Sequence, residues 1–295
     1  MASERLNLPL VVIVGPTASG KTSLAIEVAK RFNGEIICAD SRSIYKGADI
    51  ATAKPTAEER AVVPHWGLDL VEPSERFSVA DFKEYACKKI VEIRSRGHIP
   101  FLVGGTGLYI DSIVFDYEFG PKADNKLRKK LQQLDLSELH LFCKKNKIEL
   151  PENHKNKRYV IRAIEMGGYT RKKLQRPINN CIIVGIATEK DLLRQRIENR
   201  ADQIFCDEVI KEASILGGKY GWENEAMTSN IYPLIHSFLL NKITIEDAKK
   251  RFVTLDWRLA KRQITWLKRN RFIRWLVLDD AKDFLFAQLA KRVVP

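Results

Sequence analysis

The chain has 295 residues, 45% of them hydrophobic, which suits one large core or a core plus a smaller inserted unit and excludes a compositionally disordered protein. A formal net charge of +13 favours an anionic partner, while no apolar run approaches the roughly 20 residues needed to span a bilayer, so no membrane partner is expected. Five scattered cysteines with no Cys-x-x-Cys pair, and an N-terminal MASERLNLPL without an apolar leader, argue against a disulfide framework or a secreted protein and for a cytoplasmic one.

In chain order, residues 10–14 form a short, largely β-branched apolar run that ends in a Gly-rich turn, and a helical pattern follows over 21–32. Residues 35–39 and 99–103 read as further strands, with a helix over 79–96 between them. Strands alternating with helices predict an α/β fold: a P-loop NTPase-like core whose parallel sheet is flanked by helices. From residue 119 the texture becomes rich in Lys, Arg, Gln and Asn, with helical periodicity over 127–148 and 158–166. We read 119–178 as an inserted all-helical domain, leaving 1–118 and 179–295 as the catalytic core with C-terminal helices. Residues 181–187 return to the sheet, and helices are expected over 191–216, 231–240, 245–255 and 258–275.

The positive charge is concentrated in two places. Residues 121–200 hold 20 Lys and Arg against 9 Asp and Glu, and residues 249–274 hold 10 against 1, so the rest of the chain is slightly acidic. Two basic segments on an otherwise acidic chain have the form of a footprint for a phosphate backbone.

Gly15-Pro16-Thr17-Ala18-Ser19-Gly20-Lys21-Thr22 matches the P-loop pattern in full and lies between a strand and a helix, where the mechanism requires it. In such a loop, backbone N–H groups and the helix N-terminus hold phosphate oxygens, the lysine neutralises their charge, and the Thr22 hydroxyl is placed to ligate Mg²⁺. The ligand class is thus a polyphosphate, and the motif alone does not say whether it is a nucleotide such as ATP. The strand over 99–103 runs into Gly104-Gly-Thr-Gly-Leu-Tyr109 without the carboxylate of a typical ATPase, which leaves small-molecule kinases and transferases. Asp40 follows the second strand at the carboxyl edge of the sheet, as either a turn residue or a general base. Arg158 and Arg162, four apart on one helix, are either a solvated face or phosphate ligands. The apolar stripe Trp257, Ala260, Ile264 and Leu267 reads as core, with Lys261 and Arg262 beside it free to meet RNA.

Four ordered segments resemble one family. The P-loop GPTASGKT, the segment ADSRSIYKG with DIATAKP (residues 39–55), GGTGLY (104–109) and AKRQITW (260–266) are similar to the corresponding motifs of the tRNA dimethylallyltransferases of bacterial type. The resemblance implies transfer of a dimethylallyl group from dimethylallyl diphosphate to N6 of the adenosine just 3′ of the anticodon, with Mg²⁺ as cofactor, by a monomer acting on the anticodon stem-loop of tRNA. It implies Asp40 as the base, Lys21 and Thr22 as catalytic groups at the diphosphate, and Asp40, Ser41, Arg42, Ser43 and Thr106 at the target base. The base is expected to flip into a channel lined by core and insert. Departures are also visible. Ser43 stands where the family has Gln, Tyr159 where it has Arg, and Thr228 and Pro233 where two arginines approach the pyrophosphate, with Ile231 at the glycine between them. Either leaving-group stabilisation is weaker at that point or another cation, such as Lys219 or Arg258, takes it over. A small-molecule kinase and a catalytically impaired tRNA-binding relative are the competing readings.

Overall fold

The computed structural model describes residues 8–120, 124–169 and 172–292; the reading of the first seven residues lies outside them. The chain divides into two compact units, Met1–Val114 with Pro177–Pro295, and Phe115–Arg176.

The larger unit is built on a six-stranded parallel sheet. Strand β1 (Leu10–Val14) is buried at every position, as the LVVIV run requires of a central strand covered on both faces. It pairs with β4 (Ile99–Gly104) on one side and β5 (Cys181–Ile186) on the other. Beyond these lie β2 (Gly34–Cys38), the two-residue β3 (His65–Trp66) and β6 (Arg274–Leu276), giving the order β3-β2-β4-β1-β5-β6. Helix α1 (Lys21–Arg31) follows the P-loop, and α2 (Ala57–Val62) and α3 (Val79–Ser95) each start at a capping box, Thr56 with Glu59 and Ser78 with Asp81. A short helix, α4 (Gly107–Val114), continues from β4. Val11, Ile13, Val28, Ile36, Phe101, Val103, Val184 and Leu285 join sheet and helices in one core.

The smaller unit holds α5 (Asn125–Gln133), α6 (Leu136–Lys145) and α7 (Lys157–Met166) around Leu131, Leu139, Cys143, Val160, Ile161 and Ile164. It starts at Phe115 rather than residue 119. The amide of Leu174 donates to Phe115 O at 2.8 Å and that of Glu118 to Lys172 O at 2.9 Å, so entering and leaving segments pair before the first helix. The single helix expected over 127–148 is two, because Asp135 caps a new one through Glu138.

After β5 come α8 (Lys190–Ile204), α9 (Asp207–Tyr220), a 3₁₀ turn (Glu225–Thr228), α10 (Tyr232–Leu239), α11 (Ile245–Leu267) and α12 (Leu278–Ala290). The expected helix over 191–216 breaks at Cys206, whose backbone is extended. Conversely, the break expected near residue 256 is absent: α11 runs through Asp256 to Leu267, and residues 274 and 275, expected to be helical, belong to the edge strand β6. The stripe of α11 packs as anticipated, with Trp257, Ala260 and Ile264 against Leu193 and Ile197 of α8. Among the described residues, no helix is long and apolar enough to cross a membrane.

Candidate active site

The carboxyl ends of β1, β2 and β4 meet at a cavity of about 360 Å³, lined by Thr17, Lys21, Thr22, Asp40, Ser41, Arg42, Ser43 and Thr106 and closed by residues 228–231 and by α11. Its floor is the P-loop. Gly20 takes φ 87° at the N-cap of α1, where a side chain would be strained, and Ala18 also adopts a left-handed φ of 60°. The loop folds back on itself: Lys21 Nζ donates to Pro16 O at 3.0 Å. Burial pulls the Lys21 ammonium down to about 8, opposed by the nearby Asp40 carboxylate and assisted by the Arg200 guanidinium.

Asp40 follows β2 and reaches the same cavity as Lys21 and Thr22. Its Oδ1 accepts the amide of Arg42 at 2.8 Å, an Asx turn that fixes the carboxylate. Thr106 Oγ1 accepts the amide of Ser41 at 3.1 Å, tying the loop after β2 to the loop after β4. Arg42 Nη1 donates to Glu225 O at 2.8 Å, so this arginine also anchors the 3₁₀ turn. Ser43 lines the cavity although little of it is exposed. Cys38, beneath Asp40, is an inert thiol pushed up to about 12 by burial.

The GGTGLY and AKRQITW segments turn out to be two halves of one joint. A Cβ on Gly105 would meet Gln263 Nε2 at 2.4 Å, and one on Gly107 would meet Trp266 Cδ1 at 2.0 Å, so α11 packs where only glycine leaves room. Gln263 Oε1 then accepts the amide of Thr17 at 2.8 Å, and Trp266 Nε1 donates to Asp111 Oδ2 at 2.7 Å. The C-terminal motif thereby holds the P-loop itself. Arg262, on the same helix, lines the cavity; Lys261 is exposed, with its ammonium 5.8 Å from the Trp257 ring.

Three residues of the site carry no signal in a single sequence. Arg200 of α8 donates from Nη1 to Thr17 Oγ1 at 2.8 Å, and Arg196, one turn earlier, donates to Ser19 O at 3.2 Å. Asp256, the one acid within residues 249–274, is 3% exposed and lines the cavity, accepting from Asn230 Nδ2 at 2.7 Å; burial raises its carboxyl above the ordinary range. The helical pattern places Arg200 on a helix but leaves Asp256 in an expected break, and it does not show that both turn toward the P-loop.

In the smaller unit, Arg158 is exposed, whereas Arg162 pairs with the buried carboxylate of Glu165 at 3.2 Å, a partner it shares with Arg128. The four-residue spacing is real, but the two arginines have different environments. Arg162 lines a hollow with Tyr117, Met166, Tyr169 and Lys173, and Tyr159 is half exposed on the same helix.

The sequence matches the model of the IPP transferase family over residues 43–270. The chain belongs to that family. It is 40% identical to the tRNA dimethylallyltransferase of Acetivibrio thermocellus over 288 residues, 92% of each chain. Its fold matches the full-length tRNA isopentenylpyrophosphate transferase of Bacillus halodurans, with a TM-score of 0.73 and 36% identity over 96% of this chain and 97% of that one. A eukaryotic dimethylallyltransferase acting on tRNA shares the fold, with a TM-score of 0.77 and 24% identity over 96% of this chain and 77% of the other.

Within this family fold, the departures have physical form. Ile231 has φ −95° and is fully buried, so no glycine is required there. Thr228 lines the cavity with a hydroxyl that donates to Glu225 O at 2.7 Å, and Pro233 sits in the first turn of α10. Lys219 and Arg258, the expected substitutes, do not line the cavity; Arg200 does.

Proposed function

We propose that this IPP transferase moves a dimethylallyl group from dimethylallyl diphosphate to N6 of the adenosine just 3′ of the anticodon in tRNA, releasing diphosphate. The observation that carries this reading is the convergence, in one cavity of about 360 Å³, of the P-loop cation Lys21 with the carboxylate of Asp40. The first suits an anionic leaving group and the second a nucleophile that must lose a proton.

Gly15 to Thr22 hold the diphosphate through loop amides, the Thr17 and Ser19 hydroxyls and Lys21 Nζ. Thr22, exposed on the cleft side of α1, and hard oxygen donors around it fit a magnesium ion, which keeps most of its waters and needs few protein ligands. Bound there, Mg²⁺ would neutralise charge on the departing diphosphate. Asp40 accepts the proton of the adenine amine as its nitrogen attacks the allylic carbon. Its orientation is set beforehand by the Arg42 amide. Ser41, Arg42, Ser43, Thr106 and Arg262 surround the target nucleotide, which leaves its stack to reach the P-loop. Lys261, Arg158 and Arg162 meet the stem-loop backbone or bases outside the cleft. The chain acts as a cytoplasmic monomer, the reading that the family resemblance implies.

The test is incubation with a stem-loop and, in parallel, dimethylallyl diphosphate or ATP, each with Mg²⁺, followed by nuclease digestion and mass analysis. Prenylated adenosine with the first donor is expected. Phosphate transfer from ATP, with no prenylated nucleoside, would instead make the chain a kinase.

A further inference from the structure

Helix α8 places two arginines one turn apart against the P-loop, and they do different things. Arg196 donates to a backbone carbonyl, Ser19 O, which is a structural contact. Arg200 lines the cavity, donates from Nη1 to Thr17 Oγ1 at 2.8 Å, and keeps a buried Nε–H with no hydrogen-bond partner. Ser19 Oγ, in the same loop, is likewise buried without a partner. Native proteins rarely leave buried donors unpaired, so the surroundings of Arg200 and Ser19 are not fully satisfied by the protein alone. A guanidinium offers five N–H groups in a planar fork and stays charged at any physiological pH, which suits it to two phosphate oxygens at once. Arg200 also lies close enough to Lys21 to depress its ammonium, so two cations face one cavity whose natural counterpart is a polyanion.

We propose that Arg200 is a catalytic residue of this active site, contacting the diphosphate beside Lys21 and supplying the leaving-group cation that Thr228 and Pro233 cannot. The proposal rests on the prenyl-transfer reading and deepens it. As the bond between the allylic carbon and the bridging oxygen breaks, its electron pair moves onto the diphosphate; N6 bonds to the carbon and its proton passes to Asp40. Arg200 and Lys21 bind more strongly as that negative charge develops. Asp256 and Asp40 line the same cavity and balance the two cations before the donor enters.

The experiment compares the full-length chain with Arg200→Gln, Arg200→Lys and Arg200→Ala. Two quantities are measured: calorimetric affinity for inorganic pyrophosphate with Mg²⁺, and kcat and KM for transfer to a stem-loop. Arg200→Gln is expected to weaken pyrophosphate about tenfold and lower kcat roughly 10²-fold, as for loss of one charged donor, with KM for the stem-loop unchanged. Arg200→Lys should recover part of both losses, and added guanidinium should restore turnover to Arg200→Ala, which a folding defect would not allow. Wild-type pyrophosphate affinity and turnover in Arg200→Gln would overturn the proposal and make Arg200 a prop for Thr17. If the unmodified chain transfers nothing, the functional reading fails, and the pyrophosphate titration still decides whether Arg200 is an anion ligand.

Discussion

The cations at the P-loop and those of the smaller unit are placed in opposite ways. At the P-loop they are few and partly withdrawn from water: Lys21 donates to Pro16 O and Arg200 to Thr17 Oγ1, whereas Lys261, Arg262 and their neighbours on α11 of the same unit are exposed. In the smaller unit they are many and exposed, including Lys126, Lys129, Lys130, Lys144, Lys145 and Arg158. Charges out of water act strongly on a group bound between them and respond little to salt, whereas exposed ones act at long range and are screened. The contrast assigns chemistry to the first set and RNA attraction to the second, and each prediction is a way to separate or merge them.

The largest expected effect is at the base. Asp40→Asn keeps size and the Asx turn but removes proton acceptance, so turnover should fall roughly 10²-fold with RNA affinity nearly intact. Single-turnover kinetics beside a binding titration will tell, and near-normal turnover would remove Asp40 from the mechanism. Next is pH. Because burial lowers Lys21 to about 8, it is charged below that pH and neutral above it. An anionic ligand favours the charged form, so pyrophosphate affinity should be flat below about pH 8 and fall up to tenfold per unit above it. Affinity unchanged to pH 9.5 would take Lys21 out of the anion site.

Smaller effects belong to the smaller unit. Tyr169 is 37% exposed in the hollow with Arg162 and Lys173, where an unstacked base can lie against the ring. Tyr169→Ala should raise KM for the stem-loop about tenfold, the scale of one lost base stack, and leave kcat alone; a fall in kcat instead would blur the division of labour. Arg158→Glu should weaken stem-loop binding only several-fold and flatten its salt dependence. An unchanged salt slope would return Arg158 to a solvated face.

What a single sequence reveals here follows physical range. The P-loop and Asp40 were readable because each depends on local backbone: a strand, a turn with positive φ, and a helix start within a few residues. The partnership of GGTGLY with AKRQITW was not, because it is a tertiary contact between glycines and Gln263 and Trp266 more than 150 residues away in the chain. The same holds for Arg200, which is one arginine among several on α8 until its neighbour Thr17 is known. Helix ends were misplaced where a cap decides them, as at Asp135, and the apparent break at Asp256 arose because a buried acid interrupts an apolar pattern without interrupting the helix. Strand β3 was missed because two residues carry no periodicity.

The most direct test of the central claim is transfer of label from radioactive dimethylallyl diphosphate, with Mg²⁺, to two anticodon stem-loops that differ only in adenosine or guanosine at the target position. Label on the adenosine stem-loop alone is the predicted result. RNA bound with label on neither would mean that this cleft, for all its family fold, does not perform the transfer.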